Sequence, residues 1–122
     1  MKKWLSDEED NLIYDLVPRI CVDVIVRSKK GILLAKRAIE PFKGQWHMIG
    51  GRLGKGEDPK DAARRLIKKE IGIDVVDFAF VDYCNHPNDG MGTNEEPRHS
   101  VSLVFQTILT GFRRNESEPR SK

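Results

Sequence analysis

Residues 50–73, GGRLGKGEDPKDAARRLIKKEIGI, decide the fold, because a glycine-rich loop leads here directly into one amphipathic helix. Asp58 is of a residue type that caps helix starts, and Pro59 suits the first turn, where no amide donor is needed. Gly72 can take the left-handed conformation that ends a helix. The stretch therefore predicts a helix over residues 59–71.

One face of this helix is apolar. Its small and aliphatic residues recur at three- and four-residue spacing: Ala62, Ala63, Leu66, Ile67 and Ile71. We expect that face to pack inward. Glu70 follows Leu66 by four residues, so its carboxylate should emerge at the edge of the buried face, where it is costly unless it meets a cation.

The register of this stretch resembles the signature of the Nudix hydrolases. Five residues of that signature occur at the family's spacing, namely Gly51, Glu57, Arg65, Glu70 and Gly72. The family's usual helix has further glutamates where this chain has Leu66 and Lys69. A lysine repels the divalent ion that a carboxylate attracts. We therefore expect Glu70 to be the main acidic metal ligand, and we do not expect a site for several metal ions.

One branch of the family, the GDP-mannose mannosyl hydrolases, is similar in having an arginine, a leucine and a single late glutamate in this helix. The resemblance covers residues 20–73 well and residues 100–112 loosely, and Ile49 departs from it because the family usually has proline there. It implies an α/β fold, the Nudix-type α/β/α sandwich, with a mixed sheet and the signature loop and helix. We expect the family's C-terminal strand and helix to be lacking, together with the loop that carries the catalytic histidine in this branch.

The resemblance implies a site for Mg²⁺, with Mn²⁺ as the alternative ion, formed by Glu70 and a backbone carbonyl of Gly50 or Gly51. Arg52 and Arg37 are candidates for binding a diphosphate, because a planar guanidinium pairs with two phosphate oxygens at once. The alternative for Arg37 is a solvated cation at a strand end.

Other positions have structural or specificity roles. Glu57 and Arg65 lie on either side of the helix start, where an ion pair would clamp the loop to the helix, as it does in the family. Asp23 would contact the base or the sugar by resemblance, and its alternative is an edge-strand aspartate facing water. Trp46 is expected in the core rather than stacked on a nucleobase.

Three histidines compete for the role of general base, because a group that titrates near neutral pH suits that role. His47 lies in an expected strand, His86 lies on an expected mobile loop, and His99 stands at the entrance of a strand that should neighbour the helix. The catalytic candidates are Arg52, which would stabilise the departing diphosphate, and the two histidines His86 and His99.

We expect residues 1–122 to form a single Nudix-like domain. Residues 1–17 should be a helical segment with its helix over residues 7–16, because Ser6 and Glu9 have capping-box spacing. Apolar and β-branched runs predict strands over residues 20–26, 32–35, 46–49, 74–83 and 100–109. Residues 85–98, with two glycines and two prolines, should be a flexible loop, and residues 113–122 should be a polar tail.

The net charge of +2 on 122 residues argues against a general nucleic-acid-binding surface. A local anion site is favoured instead, because basic residues gather around the glycine loop: Lys36, Arg37, Lys43, Arg52 and Lys55. Cys21 and Cys84 lie in apolar runs and are expected to be buried free thiols. We expect a cytoplasmic protein without a membrane partner, since no signal segment or membrane-length run occurs. The resemblance implies a homodimer.

The leading functional expectation is a Mg²⁺-dependent Nudix hydrolase of a nucleoside diphosphate derivative, most specifically a nucleotide sugar such as GDP-mannose. Water would attack the anomeric carbon and release the nucleoside diphosphate. One alternative is a pyrophosphohydrolase of nucleoside triphosphates or ADP-ribose. The other is a catalytically impaired nucleotide-binding domain.

Overall fold

The structure is a computed structural model that describes residues 4–36, 43–89 and 98–109. The elements of this part of the chain are α1 (Asp7–Tyr14), β1 (Arg19–Ser28), β2 (Gly31–Leu33), β3 (Ala35–Lys36), β4 (Trp46–His47), β5 (Ile49–Arg52), α2 (Pro59–Ile71), β6 (Ala79–Asp89) and β7 (Arg98–Ile108). Arg37, the tip of the expected loop and residues 110–122 lie outside the described residues.

β1 is the centre of a mixed sheet with the strand order β2-β1-β7-β6. It runs parallel to β7, in a register that aligns Arg19 with Ser100. On its other edge, β1 pairs antiparallel with β2 and with β5. β6 is antiparallel to β7, and β3 and β4 form a separate two-stranded sheet. The predicted α/β class with a mixed sheet is confirmed.

α2 packs on one face of this sheet. Val22 and Val24 of β1 are completely buried there, in register with Gly51 and Ile49 of β5. Because side chains alternate across a strand, the neighbouring positions lie on the other face. Around the N-terminal half of β1 the opposite face is largely polar. From the register of β1, β5 and β7, it carries the following residues: Arg19, Cys21, Asp23, Arg52, Arg98, Ser100 and Ser102.

Both helices begin as their sequences predict. Asp58 accepts a hydrogen bond from the backbone N of Lys60 at 3.0 Å, and Gly72 ends α2 with φ of 73°. The predicted bounds of α2 are confirmed. At α1, the backbone N of Ser6 donates to Glu9 Oε1 at 2.9 Å, and the backbone N of Glu9 donates to Ser6 Oγ at 3.2 Å. α1 ends at Tyr14, two residues earlier than expected.

Three strand predictions and one loop prediction need correction. The run expected as one strand over residues 32–35 is divided into β2 and β3, because β2 pairs with β1 whereas β3 pairs with β4. The run expected as one strand over residues 46–49 is divided into β4 and β5, because β4 pairs with β3 whereas β5 pairs with β1. The strand expected from residue 74 begins at Ala79, since Val75 and Phe78 anchor an irregular segment in the core. The expected loop over residues 85–98 is shorter, because Asn85, His86 and Asp89 pair with β7.

Burial corrects two further predictions. Trp46 is 54% exposed rather than in the core, because β4 lies outside the main sheet. Its ring centroid lies 5.8 Å from Lys36 Nζ. Both cysteines are free thiols, but Cys21 is only half-buried and Cys84 is exposed on β6. Within the described residues, neither helix has the length and apolar character needed to cross a membrane.

Candidate functional site

Two adjacent glycines let other groups approach β5 from both of its faces. A Cβ added at Gly51 would lie 2.7 Å from Leu66 Cδ2, on the face that α2 covers. A Cβ added at Gly50 would overlap Asp23 Oδ1, on the other face. The double glycine therefore seats the helix on one side of the strand and a carboxylate on the other.

Glu70 lies one turn beyond Leu66 on α2. Its side chain is half-buried, and its Oε2 atom is buried without a hydrogen-bond partner in the part of the chain that the structure describes. At 1.5 Å of rise per residue, Glu70 lies about 6 Å along the helix from the contact between Leu66 and Gly51. An unpartnered carboxylate oxygen is destabilising unless a cation satisfies it, and a hard divalent cation prefers such oxygens.

The two positions where the family has further glutamates contain no acidic side chain here. Leu66 is buried against the sheet at 6% exposure, and Lys69 is exposed on the outer side of α2. Among the described residues, no cluster of three or more histidine, cysteine, aspartate or glutamate side chains could hold a metal ion. The donor set around α2 therefore fits an ion bound by Glu70, with backbone carbonyls and substrate oxygens as the remaining ligands.

The ion pair expected between Glu57 and Arg65 is present. Arg65 Nε donates to Glu57 Oε2 at 2.9 Å, and Arg65 Nη2 donates to Glu57 Oε1 at 3.1 Å and to the carbonyl of Arg52 at 2.9 Å. The backbone N of Gly54 donates to Glu57 Oε1 at 3.0 Å, and the Glu57 side chain is only 3% exposed. These contacts connect the loop, α2 and the end of β5.

Arg52, the residue after the double glycine, forms an ion pair and is 33% exposed at its side chain. Its Nη1 atom binds Asp10 Oδ1 of α1, and Arg98 Nη1 donates to Asp10 Oδ2 at 3.0 Å. Arg98 is 2% exposed, and its Nη2 atom donates to Asn11 Oδ1 at 2.6 Å. Its Nε atom lies 3.4 Å from Asp15 Oδ1. One carboxylate of α1 therefore bridges two arginines of the sheet.

A third arginine lies beside this pair. Arg19 Nη2 donates to Ser100 Oγ at 3.3 Å, and Ser100 is almost completely buried. The guanidinium carbons of Arg19 and Arg52 each lie 5.9 Å from the centroid of the Tyr14 ring. We refer to Arg19, Arg52 and Arg98 as the arginine cluster, which lies on the sheet face away from α2.

The remaining candidate residues lie on both faces of the sheet. Asp23 is half-buried on the face of the arginine cluster, as its contact with Gly50 shows. His86 is exposed in β6 and pairs with Ser100, so it lies on the same face. His99 lies on the other face, and its Nε2 atom hydrogen-bonds to Asn85 Oδ1.

Sequence reasoning missed Asp10 and Arg98. Residues 1–17 were expected only to form a helical segment, and Arg98 was assigned to a flexible loop. The only sequence signal was the acidic run over residues 7–10, which has the charge needed to bind arginines. Their partnership spans 88 residues of chain, and pattern analysis of either segment alone does not reveal it.

A second ion pair lies outside this site. Arg64 Nε donates to Asp74 Oδ1 at 2.6 Å, and Arg64 Nη2 donates to Asp74 Oδ2 at 2.8 Å. Chiefly through this hydrogen bonding, Arg64 lowers the pKa of Asp74 and Asp74 raises the pKa of Arg64. Both side chains are about half exposed, and they tie the segment after α2 back to the helix.

The close approach of Leu66 to Gly51 can be tested by a substitution that adds a single methyl group. We expect Gly51→Ala to lower the free energy of unfolding by about 1 to 3 kcal/mol, because the added Cβ overpacks against the buried Leu66. Urea denaturation measures this change. Leu66→Val in the Gly51→Ala background should recover part of the loss, since the two side chains compete for one space. Additive losses in the double variant would contradict the contact.

Three features of this site match the Nudix signature: the glycine loop between β5 and α2, the ion pair of Glu57 and Arg65, and Glu70 near the end of α2. The NUDIX domain family model matches residues 17–121, and the chain belongs to that family. The predicted membership is confirmed.

Two relatives show how this chain compares with known proteins. It is 38% identical over 106 residues to the low-salt glycan biosynthesis protein Agl8 of Haloferax volcanii, covering 86% of this chain and 68% of the relative. It is 34% identical over 97 residues to an ADP-ribose pyrophosphatase of Methanocaldococcus jannaschii, covering 79% of this chain and 54% of the relative. The chain thus spans only about half of the second relative.

Solved structures agree on the fold. The NUDIX domain of Shewanella oneidensis NrtR, complexed with ADP ribose, superposes with a TM-score of 0.66 at 16% identity, covering 96% of this chain and 76% of that chain. A MutT NUDIX hydrolase from Burkholderia pseudomallei superposes with a TM-score of 0.64 at 27% identity, covering 85% and 73% of the two chains.

Proposed function

We propose that this protein is a Mg²⁺-dependent hydrolase of a nucleoside diphosphate derivative, most specifically a nucleotide sugar such as GDP-mannose. The observation that carries the proposal is the buried, unpartnered Oε2 of Glu70, on a helix that otherwise lacks the family's carboxylates. A site with one strong acidic ligand suits charge stabilisation of a leaving diphosphate better than activation of water against phosphorus.

Glu70 would hold the ion, with a backbone carbonyl of Gly50 or Gly51 as a further donor. β5 pairs only with β1 in the described residues, so the carbonyls of its other edge are available in the plane of the sheet. When bound, Mg²⁺ supplies positive charge that stabilises the departing diphosphate. Mn²⁺ would fit the same oxygen donors.

Glu70 and Arg52 approach β5 from opposite faces. A substrate that contacts both would therefore cross the edge of β5 at Gly50 and Gly51 that pairs with no other strand in the described residues. Arg52 would bind the diphosphate from the face away from α2, and Asp23 on the same face would contact the sugar or the base. Arg37 would add a second guanidinium to the diphosphate.

The reaction requires a base that takes a proton from the attacking water. Water oxygen bonds to the anomeric carbon, the bond from that carbon to the diphosphate oxygen breaks, and the leaving group keeps that oxygen. His86 shares the face of Arg52 and Asp23, which supports it over His99, whose ring is hydrogen-bonded to Asn85 on the other face.

Hydrolysis of GDP-mannose in isotopically labelled water tests the position of attack. We expect the label in the released sugar and none in the GDP, as mass spectrometry of the products would show. Label in a nucleotide phosphate would overturn carbon attack. A protein that binds GDP-mannose without turnover at any Mg²⁺ concentration would instead be the impaired binding domain.

A pyrophosphohydrolase acting on ADP-ribose or nucleoside triphosphates is the second candidate. The relative named as an ADP-ribose pyrophosphatase supports it, whereas the relative named for glycan biosynthesis supports a sugar-linked substrate. Release of a nucleoside monophosphate rather than a diphosphate would distinguish the second candidate by chromatography. The cytoplasmic location and the homodimer rest on the sequence alone and stay predictions.

A further inference from the structure

α1 is held on the sheet by charged and polar contacts rather than by a buried apolar face. None of its residues is buried, and Leu12 is 68% exposed. A helix of eight residues is not stable by itself in water, so its position depends on what it contacts. The contacts of Asp10, Asn11 and Asp15 with the arginine cluster are therefore central to its docking.

The arginine cluster presents the geometry of an anion site. Its members come from three neighbouring strands, β5, β1 and β7, which are about 4.8 Å apart in a sheet. Arg52 and Arg98 each bind a different oxygen of the same carboxylate. A diphosphate has more charge and more oxygens than one carboxylate, so it can engage both guanidinium groups more fully.

Burial makes Arg98 the most informative member. A guanidinium that is 2% exposed requires an anion, because a buried charge without a partner is strongly destabilising. Among the described residues, the carboxylates that contact it are those of Asp10 and Asp15, which both belong to the N-terminal segment. If α1 moved away, Arg98 would face the same space as Arg52, which follows the double glycine directly.

We propose that Arg98 is a further diphosphate-binding residue that acts with Arg52, and that Asp10 occupies their shared position until the diphosphate of the substrate displaces α1. The inference rests on the proposed function and adds to it an acidic helix that competes with the substrate. Since the apparent affinity of a ligand falls with the fraction of protein that is competent to bind, α1 weakens diphosphate binding.

The test compares two variants that remove the same charge from the same helix. Isothermal titration calorimetry with inorganic pyrophosphate should show that Asp10→Asn binds about five- to tenfold more tightly than the wild type. Glu8→Gln, at an exposed position of α1, should bind within about twofold of the wild type. Equal affinities in Asp10→Asn and Glu8→Gln would overturn the proposal.

A second comparison tests Arg98 itself. In the Asp10→Asn background, Arg98→Gln should weaken pyrophosphate binding about tenfold or more, and Arg98→Lys should recover part of the affinity because it keeps the charge. Circular dichroism confirms that each variant is folded. If Arg98→Gln does not fold, the Arg98→Lys variant tests the proposal instead. It should bind pyrophosphate more weakly than the Asp10→Asn protein from which it is made. Unchanged affinity in a folded Arg98 variant would assign this residue to packing alone.

Failure of this inference is distinguishable from failure of the proposed function, because pyrophosphate binding needs no turnover. If the wild type hydrolyses GDP-mannose while Asp10→Asn and Glu8→Gln bind alike, the competing helix is wrong and the function stands. If Asp10→Asn binds pyrophosphate more tightly while no nucleotide derivative is hydrolysed, the function is wrong and the anion site stands.

Discussion

Glu70→Gln should reduce kcat/KM by about 100- to 1,000-fold without unfolding the protein. The amide keeps the size of the side chain but removes the negative charge that would hold a divalent ion. The half-maximal Mg²⁺ concentration should rise accordingly. Because Oε2 is buried without a partner, we also expect the variant to be as stable as the wild type, or more stable by up to about 1 kcal/mol.

Steady-state hydrolysis at several Mg²⁺ concentrations measures the first effect, and urea denaturation without metal measures the second. Asp61→Asn is the matched control, because it removes the same charge from an exposed position at the other end of α2. It should leave kcat/KM within about threefold of the wild type. A similar loss of activity in both variants would remove Glu70 from the metal site.

The signature stretch could be predicted in detail because local rules determine it. Asp58, Pro59 and Gly72 are sufficient to place both ends of α2, and the apolar spacing selects the face that is buried in the structure. These features depend on residues within a few turns of one another.

The strand ends were harder to predict, because pairing partners set them. Asn85, His86 and Asp89 have the polar character of a loop, yet β7 starts early enough to pair with them. Trp46 has the composition of a core residue, but its strand pairs outside the main sheet. In each case the deciding neighbour lies on another strand, and neither hydropathy nor turn composition identifies it.

The arginine cluster could likewise be predicted from the sequence only in part. Arg52 could be identified as an anion-binding candidate from its position after the double glycine. Arg98 and Asp10 could not be identified in this way, because they meet only when β1 brings the N-terminal segment beside β7. The site is assembled from three strands and a helix, so only the topology of the folded chain brings its residues together.

Arg65→Gln should lower the free energy of unfolding by about 2 to 3 kcal/mol. The Glu57 side chain is 3% exposed, and removal of Arg65 takes away the guanidinium that neutralises this buried carboxylate through two hydrogen bonds. We place the cost below that of a fully buried pair, because the Arg65 side chain is 35% exposed. The midpoint of urea denaturation should fall while its slope stays unchanged.

Arg64→Gln is the control, because Arg64 is the neighbouring residue and its bidentate pair with Asp74 is about half exposed. It should cost only a small fraction of the loss in Arg65→Gln, since water screens exposed pairs. Replacing Glu57 and Arg65 together by glutamine should cost less than the sum of the single losses, because no buried charge is left alone. Equal losses in Arg64→Gln and Arg65→Gln would show that the loop is held by something other than this ion pair, and Arg52, whose carbonyl Arg65 also binds, would then need another support.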